Sequence, residues 1–350
     1  MANLLVTGGA GFIGGNFVHY WNAKHPDDAI IVLDALTYAG NRSTLEGAPH
    51  CDLVVGDIRD TALVEKILRE RDCDTIVHFA AESHVDRSIE GPDAFIDTNI
   101  LGTNSLLKAA RAVWLGGSGK DHRFHHISTD EVFGSLEMND PAFSETTQYA
   151  PNSPYSASKA ASDHLVRAYH HTYELEVTTS NCSNNYGPFQ HPEKLIPLFL
   201  LNALFGKNLP IYGDGMNVRD WLHVEDHCRG IEACLQNGKP GETYNIGGGA
   251  ELANMAVIDA ICREVDLAFQ EVESLDSRYP DAPAAKGGKS NSLKSFVKDR
   301  AGHDRRYAID ETKARRDLSY QAQHGFDEGL RQTLRWYLEH ESWWEPLLAR

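Results

Sequence analysis

The sequence predicts an α/β protein with a doubly wound parallel sheet and a smaller, mixed α/β domain at its carboxyl end. Three features of the chain indicate this. Apolar strand patterns alternate with helical patterns through the first half, which is typical of a parallel sheet. A glycine-rich turn joins the first strand to the first helix. After about residue 186, short strand patterns, glycine-rich turns and isolated helices replace the regular alternation.

The first strand pattern, from Asn3 to Thr7, leads directly into the glycine-rich turn. Gly8 permits a tight turn, Gly11 lets the backbone approach a pyrophosphate, and Gly14 lets strand and helix pack closely. The helix that follows extends to about Lys24, and its N-terminus favours the negative charge of phosphate groups. The turn therefore predicts a dinucleotide site in a Rossmann-type domain.

A carboxylate follows the second strand pattern, which runs from Ile30 to Leu33. Asp34 lies about 20 residues beyond the last glycine of the turn, where an acidic side chain binds both ribose hydroxyls of a dinucleotide. An extra phosphate on that ribose would meet the negative charge of the carboxylate. Asp34 therefore predicts NAD as the cofactor, in preference to NADP.

The alternation continues with strand patterns at 52–55, 75–79 and 123–128 and with helical patterns at 61–70 and 92–111. Loops that follow parallel strands meet at one edge of the sheet and line the cofactor cleft. In two such loops, Asp57 can cap an adenine ring and Ala80 leaves room for it. These loops are therefore expected to enclose the dinucleotide.

The strand pattern of residues 123–128 ends in three residues that can form hydrogen bonds or exchange protons: Thr129, Asp130 and Glu131. Taken alone, the two carboxylates would indicate a solvated turn. Shortly afterwards, however, a helical pattern from Pro154 to Tyr173 presents a second set of reactive side chains.

This helical pattern begins with Ser153 as N-cap and Pro154 at the first helical position. Tyr155 and Lys159, four residues apart, share one face of the helix. An ammonium group beside a phenol favours the phenolate, so we expect Lys159 to lower the pKa of Tyr155 toward neutrality, where it can act as a base. The two segments together predict a proton-transfer site.

Composition limits the partners of the chain. Lys and Arg number 33 against 50 Asp and Glu, a formal net charge of −17, which opposes binding to nucleic acid or to an anionic membrane surface. No apolar run approaches the length of a membrane span, and the N-terminal residues enter a strand without a signal sequence. The six cysteines form no CxxC pair, which predicts reduced thiols and a cytoplasmic protein.

The second half of the chain is expected to cover the substrate. Lys194 lies beside a predicted helix start, Arg219 follows Val218, and a basic cluster extends from Asp299 to Arg306. Cations that converge here could bind a diphosphate; the alternative is that they form surface salt bridges. The segment 280–295 is poor in large apolar residues and is predicted to be a mobile insertion.

The histidines do not predict a metal site. His84, like Asp86, can be either a loop cap or a site residue. The other histidines have no spacing that joins them to a carboxylate or thiol, and we interpret them as structural or exposed; they include His125, His126, His170 and His171.

Six segments carry a resemblance: TGGAGFIG at 7–14, AAESHVDRSI at 80–89, STDEVFG at 128–134, YSASK at 155–159, NNYGPFQHPEKLIP at 184–197 and GHDRRYAID at 302–310. On these motifs the chain resembles the extended short-chain dehydrogenase/reductase superfamily and, within it, the dTDP-glucose 4,6-dehydratase family. The pair Asp130 and Glu131 discriminates these dehydratases from the epimerases of the superfamily. The chain departs from the family pattern at Phe133, where Tyr is usual, at Ala301, where Pro is usual, and in the insertion before Ala301.

The resemblance implies an NAD-binding Rossmann-type domain at residues 1–186 and a nucleotide-sugar-binding domain at residues 187–350, between which the chain can cross back. In addition to the three turn glycines, the implied NAD contacts are Phe12, Ile13, Asp34, Ala35, Leu36, Thr37, Asp57, Ile58, Phe79, Ala80, Ala81, Glu82, Ser83, Thr98, Tyr155, Lys159 and Asn184. The implied substrate contacts are Ser83, Thr129, Asn185, Lys194, Leu195, Pro210, Ile211, Tyr212, Arg219, Asn254, Asp299, Arg300, Ala301, Gly302 and His303, with Tyr212 stacked on thymine.

The reaction implied by the resemblance removes water from dTDP-glucose to give dTDP-4-keto-6-deoxyglucose, an intermediate of deoxysugars such as dTDP-rhamnose. Tightly held NAD is reduced and reoxidised in each turnover. Tyr155 takes the O4 proton, Lys159 holds the tyrosine, and Thr129 donates a hydrogen bond near O4. Glu131 then takes the C5 proton, and Asp130 protonates the departing C6 hydroxyl.

The family also pairs its subunits through helices. The helical patterns at 92–111 and 154–173 carry apolar and small residues around much of their circumference, which predicts a homodimer. Two rival functions stay open at this point. One is another nucleotide-sugar epimerase or dehydratase of the superfamily, and the other is a non-catalytic NAD-sensing protein, which would need none of the proton-transfer residues.

Overall fold

The structure, a computed structural model, describes residues 2–119, 121–299 and 303–348. Its strands are β1 (Asn3–Thr7), β2 (Ala29–Asp34), β3 (Cys51–Val55), β4 (Thr75–His78), β5 (Arg123–Thr129), β6 (Val177–Cys182), β7 (Asn184–Tyr186), β8 (Leu209–Tyr212), β9 (Val218–His223), β10 (Thr243–Ile246), β11 (Glu251–Ala253) and β12 (Lys294–Val297).

The α-helices are α1 (Phe12–Lys24), α2 (Thr61–Glu70), α3 (Val85–Glu90), α4 (Asp93–Phe95), α5 (Thr103–Ala110), α6 (Pro154–Tyr173), α7 (Leu195–Leu204), α8 (Val224–Asn237), α9 (Asn254–Glu271), α10 (Leu275–Arg278), α11 (Thr312–Leu318), α12 (Phe326–Glu339) and α13 (Glu341–Leu348). The chain is π-helical at Ile96–Gly102 and Arg111–Ser118, and 3₁₀-helical at Arg42–Leu45, Asp130–Phe133, Ala284–Lys286 and Ser290–Leu293. None of the helices within the described ranges is long and apolar enough to cross a membrane.

A seven-stranded sheet, parallel throughout, has the strand order β10-β6-β5-β4-β1-β2-β3. Leu4 and Val6 of β1 pack with α1 and α8 on one face, whereas Leu5 packs with α2, α5 and α6 on the other. Helices on both faces require apolar side chains on both sides of the strand, which explains the uninterrupted apolar run in β1. The predicted Rossmann-type, doubly wound parallel sheet is confirmed.

The order of the strands reverses beside β1, because β2 and β3 follow on one side of it and β4, β5 and β6 on the other. In open α/β sheets, the crevice at the carboxyl ends of the strands beside such a reversal is the usual ligand site. The loops after β1, β2, β4 and β5 therefore meet at this edge.

The carboxyl-terminal part of the chain has a core of its own, formed by α7, α9, α12 and α13 around residues such as Leu200, Val257 and Trp344. Two small sheets lie beside it. In the first, β9 pairs antiparallel with β11 and parallel with β7; in the second, β8 pairs parallel with β12. The smaller, mixed α/β part of the predicted fold class is thereby confirmed.

The chain crosses back to the seven-stranded sheet within this second half. Helix α8 packs on α1, and β10 extends the sheet beyond β6. Residues 224–246 therefore belong to the seven-stranded sheet and its helices, as the predicted division into 1–186 and 187–350 allows. The boundary at residue 186 stays a prediction.

The helix predicted at 92–111 continues to Ser118 in the structure. Trp114, which is buried, donates a hydrogen bond from Nε1 to the carbonyl oxygen of Cys73 at 2.9 Å. Within the same helix, the side chain of Asn99 bonds both the amide nitrogen and the carbonyl oxygen of Glu82. These contacts fix the helix to the chain on either side of β4, and Gly119 follows its last residue in the left-handed conformation.

The prediction of a mobile insertion at 280–295 is wrong. Ala282 is fully buried, and Ser290 donates hydrogen bonds from its backbone nitrogen (3.0 Å) and its hydroxyl (2.7 Å) to the carboxylate of Asp266. From Lys294 the chain pairs with β8 as a strand. A few buried anchors and buried hydrogen bonds thus order a segment that lacks large apolar residues.

Candidate active site

A cavity of about 590 Å³ lies where the loops after β1 to β6 converge. Its walls contain most of the residues that the sequence predicts for cofactor binding and catalysis: Gly8, Gly11, Phe12, Ile13, Gly14, Asp34, Ala35, Thr37, Asp57, Ile58, Phe79, Ala80, Ala81, Glu82, Ser83, Thr98, Thr129, Asp130, Glu131, Tyr155, Lys159, Asn184, Asn185 and Lys194. The fold therefore brings the two predicted groups, cofactor-binding and catalytic, into one cavity.

Other predicted site residues lie outside the walls of this cavity: Leu36, Leu195, Pro210, Ile211, Tyr212, Arg219, Asn254, Asp299 and His303. Three more, Arg300, Ala301 and Gly302, lie outside the described residues.

The glycine-rich turn has no space for side chains at two positions. Gly8 has a φ of +70°, and a Cβ atom there would lie 2.6 Å from the backbone nitrogen of Ala80. A Cβ atom on Gly14 would lie 2.4 Å from the carbonyl oxygen of Gly8. The first glycine thus serves the turn and the contact with the loop after β4, and the last serves the close packing of α1.

Asp34 ends β2 and is fixed by the backbone. Its carboxylate accepts hydrogen bonds from the backbone nitrogens of Ala10 (2.9 Å) and Leu36 (2.8 Å). Burial raises its pKa, while these two hydrogen bonds lower it. Leu36, which the sequence predicts as a cofactor contact, lies outside the wall and acts here through the backbone nitrogen that orients Asp34.

The residues after β5 hold one another in place. The Thr129 hydroxyl donates to Asp130 Oδ1 and accepts from the backbone nitrogen of Glu131, both at 3.3 Å. Asp130 is 2% exposed, and its Oδ2 has no hydrogen-bond partner among the described residues. Burial, followed by the charges of Glu131 and Asp220, raises the pKa of Asp130 well above its usual range. Burial therefore favours the protonated form of Asp130, which can act as an acid.

Tyr155 and Lys159 project from the first turns of α6, and both side chains are buried. The expectation that Lys159 lowers the pKa of Tyr155 is wrong for this structure, since burial and then the charge of Glu131 raise it well above the usual range. A hydrogen bond with Thr129 lowers it in part. The ammonium group of Lys159 donates to the carbonyl oxygen of Ile127 at 2.7 Å. Burial therefore outweighs the hydrogen bond that favours the phenolate.

Arg219, predicted to bind the diphosphate, is buried in β9. Its guanidinium donates to the carbonyl oxygens of Val218 (2.7 Å) and Asp304 (2.9 Å) and lies 4.2 Å from the centre of the Tyr307 ring. The charge of this arginine also acts on the pKa of Asp130. Arg219 is thus held rigidly within electrostatic reach of the catalytic carboxylates.

Part of the predicted basic cluster is neutralised by ion pairs. Arg305 lies 3.1 Å from a carboxylate oxygen of Asp214, and Arg306 lies 2.9 Å from one of Glu251. For these two arginines the structure supports the salt-bridge alternative.

Sequence reasoning missed several residues of the cavity wall, among them Tyr38, Cys182, Gln190, Glu193 and Trp343. Tyr38 and Glu193 adjoin recognised motifs and could have been included on that ground. Trp343 comes from α13, more than 300 residues from the glycine-rich turn, and no local signal assigns it to the cavity.

Beside this cavity, Arg87 of α3 connects the loop after β2 with the loop before α7. Its guanidinium lies 3.7 Å from the centre of the Tyr38 ring and 3.3 Å from a carboxylate oxygen of Glu193. His84 accepts a hydrogen bond from the backbone nitrogen of Arg87 and lies 3.6 Å from Glu193. This geometry supports the loop-cap interpretation of His84.

The structure brings together His223, Glu225 and His324, whose ligand atoms lie within 4.8 Å of one another. Their spacing in the sequence did not predict this group. Arg229 already donates to Glu225 (2.5 Å) and to Asp226 (2.6 Å), and His324 Nδ1 lies 3.1 Å from Asp226. The carboxylates thus have cationic partners, and the cluster connects the start of α8 with the loop before α12.

A family model described as GDP-mannose 4,6 dehydratase matches residues 5–333. The chain belongs to this family. Two curated members, the dTDP-glucose 4,6-dehydratases of Xanthomonas campestris pv. campestris (strain B100) and Neisseria meningitidis serogroup B (strain ATCC BAA-335 / MC58), are 52% and 49% identical to it. Each alignment covers 99% of this chain and 96% of the relative. The resemblance inferred from the motifs is thereby confirmed.

Solved structures extend this family likeness to the whole fold. The dTDP-glucose 4,6-dehydratase DesIV of Streptomyces venezuelae, with NAD bound, has a TM-score of 0.86 and 48% identity, with 99% of both chains covered. The UDP-glucose 4-epimerase of Thermotoga maritima, with UDP-glucose, has a TM-score of 0.82 and 26% identity, with 96% of this chain and 99% of that one covered. Dehydratases and epimerases share the fold, so side chains in the site must separate the two activities.

Proposed function

We propose that the chain is an NAD-dependent hydro-lyase, a dTDP-glucose 4,6-dehydratase that forms dTDP-4-keto-6-deoxyglucose and water for deoxysugar biosynthesis. One observation carries this proposal: Asp130 and Glu131 share a cavity with Tyr155, Lys159 and the dinucleotide turn. An epimerase needs only the last three features, and a sensor of NAD needs only the turn. Loss of water from the sugar requires the second acid and base as well.

The proposed cofactor is NAD, because the backbone-fixed carboxylate of Asp34 and the turn at Gly8 to Gly14 suit a dinucleotide with free ribose hydroxyls. When bound, NAD would supply the hydride acceptor for C4 and the hydride donor for C6 of the sugar, and its positive charge would favour the phenolate of Tyr155.

The side chains of the cavity divide the proton transfers among them. Tyr155 takes the O4 proton, with Thr129 as its hydrogen-bond partner and Lys159 one turn further along α6. Glu131 removes the C5 proton, which the C4 ketone acidifies, and returns a proton to C5 when the hydride is added at C6. Asp130, which holds a proton because its pKa is raised, gives it to the departing C6 hydroxyl.

The nucleotide sugar is proposed to lie between these groups and the carboxyl-terminal part of the chain. Ser83, Asn185 and Lys194 line the cavity and are assigned to the sugar and its diphosphate. Tyr212, 46% exposed at the end of β8, is assigned to the thymine ring. The other assigned contacts are Leu195, Pro210, Ile211, Arg219, Asn254 and residues 299–303.

A substrate panel tests the proposal. Incubation with dTDP-glucose, UDP-glucose and GDP-mannose is expected to give a 4-keto-6-deoxy product with dTDP-glucose, and much more slowly or not at all with the other two. Mass loss of one water and the absorbance of the 4-keto sugar in alkali report the product. Epimerised sugar without water loss, or a preference for GDP-mannose, would contradict the proposal.

We also propose that the chain forms a homodimer through the helix at 93–118, α3 and α6. Large apolar side chains on these helices are exposed: Ile89 (49%), Ile96 (47%), Leu101 (51%), Leu115 (40%) and Tyr173 (37%). Exposed apolar side chains that cluster on neighbouring helices mark interaction surfaces, and two-fold pairing covers the same patch on both subunits.

Leu101→Glu is expected to convert the dimer into a monomer, because the interface would bury one unpaired charge from each subunit. Light scattering at micromolar concentration measures the change. Val272→Glu, at an exposed position that follows α9, is the matched control and should leave the dimer intact. A wild-type protein that is monomeric under these conditions contradicts the proposal.

The cytoplasm is the proposed location. All six cysteines are free thiols, and five of them are buried, which suits a reducing compartment.

A further inference from the structure

Helix α6 carries a third ionisable residue in line with Tyr155 and Lys159. Asp163 lies four residues beyond Lys159 and eight beyond Tyr155, which places the three side chains along one face of the helix. It is 6% exposed. In the sequence it looks like an ordinary polar position of a helix.

The carboxylate of Asp163 is bound on every side. Its Oδ2 accepts hydrogen bonds from the hydroxyls of Ser128 (2.8 Å) and Tyr149 (2.9 Å), and its Oδ1 lies 3.0 Å from Nε2 of His126. Ser128 and His126 belong to β5, directly before Thr129. Asp163 therefore fixes α6 to the end of the strand that presents the proton-transfer residues.

The charge of Asp163 is balanced chiefly by Lys159. The groups that face it are Lys159 and His164 on its own helix, His126 on β5, and Tyr149 from the loop before α6. Burial and the charge of Lys159 hold the pKa of His126 well below its usual range, so this histidine is neutral. Ser128 and Tyr149 are uncharged donors. Lys159 is thus the main cation that compensates the buried carboxylate.

The charge of Asp163 in turn acts on the pKa of Lys159. Burial lowers the pKa of Lys159, and the charge of Asp163 is the first of the effects that raise it. The ammonium group donates to the carbonyl oxygen of Ile127, which lies between His126 and Ser128 on β5. A buried ammonium without a counter-charge loses its proton rather than stay charged.

We infer that Asp163 is a positioning residue for the reaction: its carboxylate keeps Lys159 charged and holds the end of β5 against α6. The inference rests on the proposed function only for the consequence that Tyr155 needs this charge when it takes the O4 proton. The anchoring of Asp163 and Lys159 to β5, and the electrostatic interaction between them, are properties of the fold.

Asp163→Asn tests the inference, since the amide preserves shape and removes the charge. An opposite charge nearby shifts a pKa by about 1 to 3 units. The alkaline limb of the rate of cofactor reduction, measured in a single turnover with dTDP-glucose, should move at least about one pH unit lower. A carboxylate that only held the fold together would lower this rate equally at all pH values.

A second readout does not depend on turnover. The titration of Lys159 can be followed by NMR of protein with ¹³C-labelled lysine, with Lys159→Met to assign the signal. It should move to lower pH in Asp163→Asn. If wild-type protein fails to turn over any sugar, the proposed function fails while this titration still decides the inference.

Tyr149→Phe is a milder variant, to be used if Asp163→Asn does not fold. The pKa of Asp163 is about 6, and the hydrogen bond from Tyr149 helps to lower it. Without this bond, the carboxylate of Asp163 should take up a proton at a higher pH than in the wild type. Protonation of Asp163 should produce a step in the Lys159 NMR signal, and this step should lie at higher pH in Tyr149→Phe than in the wild type. A Lys159 titration that is unchanged in folded Asp163→Asn overturns the inference, as does a Lys159 signal that shows no such step in the wild type and in Tyr149→Phe.

Discussion

Glu131→Gln is expected to lower formation of the 4-keto-6-deoxy product by about 100- to 10,000-fold, the range that a well-placed base contributes. The amide retains the shape of the side chain and cannot take the C5 proton. Oxidation at C4 does not use Glu131, so the substrate should still reduce the cofactor. The variant is therefore expected to stop after the first half of the reaction. Stopped-flow absorbance of the reduced cofactor, with product quantified after quenching, measures both halves.

Tyr155→Phe supplies the matched comparison. It removes the base that takes the O4 proton, so cofactor reduction itself should slow, and the variant should stop before the step that Glu131 performs. Deuterium at C4 of dTDP-glucose provides a third observation, because it should reappear at C6 of the product of the wild type. The division of roles is contradicted if Glu131→Gln slows cofactor reduction as severely as Tyr155→Phe, or if the label is lost to solvent.

Where periodic patterns have strong end signals, the sequence predicts the elements closely. The strand Asn3–Thr7 and the helices Thr61–Glu70 and Pro154–Tyr173 have the predicted bounds. Both helices begin at a side chain that accepts a hydrogen bond from the first turn, Asp60 in one and Ser153 in the other. The long helix is predicted to end at residue 111, whereas it ends at Ser118, where Gly119 follows in the left-handed conformation that is typical of a helix C-terminus.

The candidate site was predictable to the extent that it follows from strand ends. Asp34 and Thr129 end two strands of one parallel sheet, so topology alone brings them to the same edge. The ionisation of Tyr155 was not predictable in this way, because it depends on burial and on the position of Glu131 in three dimensions. Trp343 enters the cavity wall through the packing of the last helix, which no pattern near the motifs indicates.

Asp130→Asn is expected to make the protein more stable near neutral pH while it slows dehydration. The pKa of Asp130 is raised in the folded protein by burial and by Glu131 and Asp220. Between the unfolded and the folded pKa, the folded state therefore binds more protons, and the free energy of unfolding falls as pH rises through this window. Each unit of raised pKa corresponds to about 1.4 kcal/mol that the neutral amide does not lose.

The same substitution removes the acid that protonates the departing C6 hydroxyl. The expected loss of dehydration rate is about 100-fold, at the low end for an acid or base, because water can supply part of the proton. Asp220→Asn is the comparison for stability alone, because the charge of Asp220 also acts on Asp130. This carboxylate is buried as well, but both of its oxygens accept hydrogen bonds from backbone nitrogens, at 3.1 and 2.7 Å. It should destabilise the fold, because an amide nitrogen cannot accept from a backbone N–H. Denaturant unfolding from pH 4 to 8, beside the rate of water loss, measures both effects. Asp130→Asn with lower stability than the wild type at neutral pH, or with undiminished water loss, would show that Asp130 is a structural carboxylate like Asp220 and does not supply the proton.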